Sequence, residues 1–343
     1  MPPDTNAVHD PRLDLLAEWL SRGLGLAEWR IAPASADASF RRYFRVSLPD
    51  RTLIAMDAPP EREDVGPFVR VAAALAATGV SVPAVLEVDA ERGFLLLSDL
   101  GSTHYLAALA RGGDPAPLYA DAAAALLRIQ VHGDATALDP YGLALLEREL
   151  ALFPEWFLVR HLGLVLGDDE RELLAALSAT LVAAALEQPQ VFVHRDYHSR
   201  NLMVLGAGNP GILDFQDAVR GALTYDLVSL YKDCYVSWPR ERVLGWVEDY
   251  RLRAQAAGLA VPDAREFVRW FDLAGLQRHL KVLGIFARLW YRDGKSAYLA
   301  DLPRVLEYVV ATSLAYPALA PLARLLETAV QPRFDAAQAR AGA

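Results

Sequence analysis

Three short apolar runs near the middle of the chain each border a polar residue that a protein interior cannot leave unpaired. Residues 191–193 lead into His194-Arg195-Asp196, Asn201 stands just before the apolar run 202–205, and residues 211–213 lead into Asp214-Phe215. Their aliphatic, β-branched and aromatic content makes these runs strands. The stretch from Gly206 to Pro210 is a turn signal that folds the second and third into a hairpin. A chain built this way brings Asp196, Asn201 and Asp214 to strand ends on one side of its core, so it must adopt a fold with a polar cleft above a few short strands.

Those residue types at that spacing have a chemistry. A carboxylate at the end of a strand, Asp196, can orient an acceptor hydroxyl and take its proton. Asn201 and Asp214 offer an amide oxygen and a carboxylate oxygen, the hard donors that Mg2+ takes. Their order and spacing are those of phosphoryl transfer from ATP. A second reading makes His194, Asp196 and His198 a transition-metal set, because alternate residues of an extended segment share a face; it leaves Asn201 and Asp214 without a role.

The 343 residues, 53% of them hydrophobic, are enough for two lobes with a substantial core. A net charge of −9 argues against nucleic acid or an anionic membrane as partner and requires local cations and Mg2+ to hold ATP. Cys234 is the only cysteine, which excludes an intrachain disulfide and fits a reducing compartment, the cytoplasm. The start MPPDTNAVHDPRLD lacks the pattern of a signal peptide, and no apolar stretch has the length of a membrane span. The expectation is a soluble protein with no obligatory protein partner.

Helical spacing covers residues 11–27, and strand patterns cover 43–48, 52–57, 84–88 and 94–97. One helix lies between them, starting near Asp64 with Pro67 in its first turn and Phe68, Val71, Ala72 and Leu75 on one face, and ending at Thr78-Gly79. Beyond a turn at 98–101 the pattern is mostly helical, with helices near 116–131, 143–162, 169–187, 224–236, 240–257, 264–292, 297–313 and 318–329. Strands first and helices second predict an α+β bilobal fold of the protein-kinase kind. The small lobe would be 1–98, the hinge 99–101 and the helical lobe 102–343.

VFVHRDYHSRNLMVL, ILDFQDAVRGALTYDLVSLYKDCY and this layout resemble the aminoglycoside phosphotransferases and choline kinases, a family of small-molecule kinases. The resemblance implies that Asp226, in Tyr-Asp-Leu at the start of a helix, braces the catalytic loop together with His194. MDAPPERED, LLLSDLG, ERELALFPEWFLVRHLG and LQRHLKVLGIFARLWYRDGK are similar to the anomeric sugar kinases that act on N-acetylmuramate and N-acetylglucosamine in bacterial peptidoglycan recycling. That match runs from about residue 12 to 330, and it implies a small amino sugar as the partner molecule. Another small alcohol (an aminoglycoside, a choline-like molecule or an amino-acid hydroxyl) and a nucleotide-binding pseudokinase are the alternatives.

The small lobe departs from the family. Met56 occupies the place of the usual phosphate-binding lysine, the chain has no lysine before Lys232, and the helix expected to carry the partner glutamate has none. Arg41 or Arg42, in the segment that includes Ser39 and Phe40, is the substitute cation. Leu97 and Asp99 border the nucleotide at the hinge. On the acceptor side, Trp156 would stack on a pyranose, His198 lies beside the catalytic aspartate, and Arg278, His279 and Lys281 would meet the lactyl carboxylate of an acidic sugar.

Overall fold

The computed structural model describes residues 9–36 and 40–341, so Ser39 lies outside the described residues. Strands β1 (Arg30–Ala36), β2 (Arg42–Ser47), β3 (Thr52–Asp57), β4 (Val85–Asp89) and β5 (Phe94–Ser98) form one antiparallel sheet in the order β1-β2-β3-β5-β4. Alternation along the strands gives the sheet two faces. Phe44, Val46, Leu53, Ala55, Phe94 and Leu96 pack against Leu16, Trp19 and Leu20, contributed by helix α1 (Pro11–Glu18) and its π-helical continuation. Tyr43, Arg45 and Ile54 point the other way, into a cleft of about 1470 Å³ between the sheet and the helical part.

Helix α2 (Gly66–Ala77) crosses the cleft-side face and buries Phe68, Val71, Ala72 and Leu75, the positions read from the sequence. The ring of Phe68 lies 4.8 Å from that of Phe215, so the helix is anchored beside Asp214.

The remainder is mostly helical: α3 (Tyr105–Ala110), α4 (Ala116–His132), α5 (Leu143–Leu150), α6 (Asp168–Leu186), α7 (Tyr225–Tyr231), α8 (Arg240–Ala256), α9 (Ala264–Asp293), α10 (Leu302–Ala315), α11 (Ala320–Leu325) and α12 (Gln331–Ala341). Four short strands interrupt it between α6 and α7. β6 (Gln190–Val193) pairs with β9 (Val219–Ala222), and β7 (Leu202–Met203) with β8 (Gly211–Ile212), the hairpin expected between Asn201 and Asp214. The 30-residue α9 runs through the helical part and passes so close to the chain just after α5 that a Cβ at Gly284 would lie 2.4 Å from the carbonyl group of Leu152.

No single helix among the described residues is long and apolar enough to cross a membrane. The apolar pair Ser296–Ala315 and Pro317–Gln338, bent by 119°, buries Leu302, Val305, Leu322 and Val330 in the main core.

The mixed α/β architecture is the expected one, with differences that have local causes. Strand β1 escaped the sequence reading because Pro33 interrupts its alternation; it is an edge strand whose register shifts between Pro33 and Ser35. The helix read over 143–162 is two segments, α5 and a π-helical stretch Phe153–His161. The one read over 224–236 ends at Tyr231, and the one at 297–313 begins as a 3-10 turn.

Candidate active site

The chain turns sharply where it delivers its polar residues. Arg195 and Asp214 adopt left-handed conformations, with φ of 77° and 60°, a strain of about 1–3 kcal/mol at each that the surroundings must hold. At the first turn Asp226, in α7, accepts the backbone N–H groups of His194 and Arg195 at 2.6 and 2.9 Å. Burial pushes the Asp226 carboxyl up to about 7 against the effect of those two bonds.

His194 ties this turn to the other. Its Nε2 lies 2.9 Å from the carbonyl oxygen of Leu213, and its Nδ1 accepts the N–H of Asp196 at 3.3 Å. That pairing requires a neutral ring, and burial lowers the His194 pKa to about 4. His194 is therefore engaged on both sides and is not a ligand. Among the described residues no group of three His, Cys, Asp or Glu side chains is arranged to hold a metal, which corrects the transition-metal reading of His194, Asp196 and His198.

Asn201 and Asp214 face each other across the β7-β8 hairpin. The Asn201 Nδ2 donates to the Asp196 carbonyl at 3.0 Å and approaches Asp214 Oδ2 at 3.4 Å, so the amide oxygen is left as its ligand atom. Gln216 Nε2 donates to Asp214 Oδ1 at 2.9 Å. One amide and one carboxylate oxygen, side by side at an open cleft, fit Mg2+, which takes few protein ligands and completes its shell with phosphate and water.

Asp196 opens onto the cleft, its side chain 41% exposed. Burial of its surroundings opposes ionisation, but Arg278 and Lys281 outweigh it and hold the carboxyl well below the usual carboxylate range. Arg278 Nη2 stands 3.6 Å from Asp196 Oδ1, while its Nε donates to Ser229 Oγ at 2.7 Å. Lys281 Nζ contacts Glu149 Oε1 at 3.1 Å and the Tyr225 hydroxyl at 3.2 Å, and Arg195 pairs with the same Glu149. Arg278 and Lys281 thus line the cleft with their charges already engaged, in place of the free carboxylate contacts expected of them.

On the sheet side, period two separates the arginine pair. Arg41 lies on the face of Tyr43 and Arg45 and reaches Asp214 Oδ1 at 3.5 Å and Glu63 Oε2 at 3.9 Å. Arg42 lies on the opposite face, pairing with buried Asp57 at 3.0 Å and with Asp10 at 3.3 Å. That corrects Arg42 as a nucleotide contact. Helix α2 itself carries no glutamate, and Glu63, just before it, is the acid that stands near Arg41.

Met56 is fully buried in the core and lines no part of the cleft. Phe40 is 57% exposed and also outside it, its ring under the Arg62 guanidinium. Leu97 and Asp99 do line the cleft, and Asp99 is clamped by Arg45 at 2.7 and 3.2 Å, which fixes the turn after β5 to β2.

On the helical side His198 lines the cleft, with Nε2 4.0 Å from Asp196 Oδ1. Trp156 does not. In the π-helical segment each side chain advances less than in an α-helix, so Phe153, Phe157 and Leu158 take the buried positions and Trp156 is left beside Arg160, away from the cleft lining. His279, one position on from Arg278 and so turned away, is fully buried, bonded to the Lys232 carbonyl at 3.0 Å and stacked on Tyr308.

Sequence reasoning missed Glu63, Glu149 and Asp233. Asp233 accepts the N–H groups of Ser199 and Tyr235, each at 2.9 Å, and so steadies the catalytic loop from behind. Glu149 and Asp233 are buried acids whose partners are distant in sequence, and Glu63 is one charge in the charged run 61–64, so none stands out in the sequence.

The phosphotransferase enzyme family matches residues 30–271. The chain is 51% identical over 302 residues to the N-acetylmuramate/N-acetylglucosamine kinase of Pseudomonas aeruginosa, covering 88% of this chain and 89% of that one. It is 46% identical to the protein of the same name from Pseudomonas putida, over 93% and 96% of the two chains. Among solved structures, choline kinase from Streptococcus pneumoniae superimposes with a TM-score of 0.61 at 11% identity, covering 88% of this chain and all of that one; at that identity the likeness is one of fold.

Proposed function

The chain belongs to the phosphotransferase enzyme family, and on that premise we propose that it transfers the γ-phosphoryl group of ATP to the anomeric hydroxyl of N-acetylmuramate and N-acetylglucosamine. The observation that carries the chemistry is Asp196, ionised beside Arg278 and adjoining the Asn201 and Asp214 pair. The identity to the two Pseudomonas kinases over nearly the whole chain supports the choice of sugar. Peptidoglycan recycling in the cytoplasm is the setting this reading implies.

Mg2+ bound by Asn201 and Asp214 would neutralise charge on the phosphate oxygens. Arg41, held by Glu63 at the mouth of the same site, steadies the triphosphate in place of the usual lysine. Leu97 and the clamped turn at Asp99 border the base.

Asp196 accepts the hydrogen bond of the acceptor hydroxyl and points its oxygen at the phosphorus. A carboxylate held so acidic by Arg278 is a weak base, so its main contribution is orientation, with proton transfer late. An anomeric hydroxyl, more acidic than an ordinary alcohol, suits such a partner.

The test is ADP release by the purified protein with ATP, Mg2+ and a panel of N-acetylmuramate, N-acetylglucosamine, choline and an aminoglycoside. The reading expects turnover of both sugars. Turnover of choline or the aminoglycoside alone would replace the substrate assignment, and no turnover of any acceptor would favour a nucleotide-binding pseudokinase.

A further inference from the structure

We propose that Arg288 is the residue that recognises the carboxylate of an acidic amino sugar and so sets its preference over the neutral one. The inference rests on the amino-sugar reading above and deepens it. Arg278 and Lys281 cannot easily serve, because each is spent: Arg278 on Asp196 and Ser229, Lys281 on Glu149 and Tyr225.

Arg288 lies seven residues beyond Lys281 on α9, hence on the same stripe of the helix and about 10 Å further along its axis. It lines the same cleft, together with Ile285 and Leu289 on the adjoining positions. Its Nε is buried without a hydrogen-bond partner, and no carboxylate of the described residues lies within ion-pair distance of it. Burial and the neighbouring Arg292 work against its charge, and the more distant Asp293, Glu155 and Glu149 offset this only in part; the unpartnered Nε is the open position an entering anion would fill.

A long side chain on a helix leans back toward the N-terminus, which aims the guanidinium along the wall toward Lys281 and Asp196. With the anomeric hydroxyl at Asp196, the ring occupies the intervening space, and a carboxylate carried on its far side meets Arg288. The planar guanidinium offers two parallel donors to such a group. Arg148, on α5, also lines the cleft without an ion pair among the described residues, but it is exposed and its charge is screened.

The experiment compares kcat/KM for N-acetylmuramate and N-acetylglucosamine in wild type, Arg288→Met, Arg288→Lys and Arg148→Ala. Arg288→Met keeps much of the apolar stem. It is expected to lower the ratio of the acidic to the neutral sugar about ten- to hundredfold, carried by KM, with part of the loss restored in Arg288→Lys. An equal loss on both sugars, an unchanged ratio, or a larger shift of the ratio in Arg148→Ala overturns the assignment. Failure of wild type to phosphorylate either sugar overturns the amino-sugar reading itself and this inference with it.

Discussion

Arg278 lies 3.6 Å from the carboxylate of Asp196 and is buried behind it, so the group proposed to face the acceptor hydroxyl is backed by a fixed positive charge. The pair makes Asp196 a permanently ionised hydrogen-bond acceptor. It also neutralises a carboxylate that would otherwise repel the incoming triphosphate.

Asp196→Asn should bind nucleotide normally and lose about two to four orders of magnitude in kcat, because the amide no longer offers a charged acceptor that orients the hydroxyl and takes its proton late. In Arg278→Met the Asp196 carboxyl loses its main stabilising charge and its pKa rises. The acid limb of the kcat/KM profile should therefore move to higher pH. A profile that does not move would separate Arg278 from the reaction.

Asp214→Asn should weaken the proposed Mg2+ site and leave Asp196 in place. Activity should recover in part at raised Mg2+, whereas that of Asp196→Asn should not. Superimposable Mg2+ titrations of the two variants would contradict the division of roles.

The arginine pair gives opposite expectations. Arg41→Ala should raise KM for ATP about tenfold or more while leaving the melting temperature near wild type. Arg42→Ala should hardly alter that KM but destabilise the fold around the five-stranded sheet by about 1–3 kcal/mol, because among the described residues buried Asp57 then keeps Arg12 alone as its charged partner. Exchange of the two phenotypes would mean that the strand presents the other face to the cleft.

Much of this was legible in the chain before any coordinates. The Asn201 to Asp214 hairpin followed from two apolar runs around a Gly/Pro turn, and α2 from four apolar residues at helical spacing. The arginine ambiguity was also soluble in principle: in β2 the buried Phe44 and Val46 fix the parity that puts Arg42 with them and Arg41 with the cleft.

What the chain concealed depends on distant partners. Arg278 and Lys281 look like free cations on a helix until Asp196 and Glu149, far away in sequence, fold against them. Trp156 was misplaced because nothing in FPEWFLV signals that the helix widens there.

His194 predicts an acid limit to stability. Its folded pKa, about 4, lies below the ordinary 6.5. The stability it contributes is complete above pH 6.5 and is lost as pH falls toward 4, up to about 3 kcal/mol. Asp226, pushed up to about 7, acts in the opposite sense over the same window, so the measurement is a difference: between pH 6.5 and 4 the urea midpoint of wild type should fall relative to that of His194→Gln. Equal slopes would show that the imidazole is not the group that takes up the proton.

The central claim is transfer to the anomeric oxygen, and phosphorus–proton correlation NMR of the product formed from N-acetylglucosamine tests it most directly. The account predicts coupling of the phosphorus to the anomeric proton, with loss of the reducing end. Coupling to the exocyclic methylene protons instead, with the reducing end intact, would contradict it.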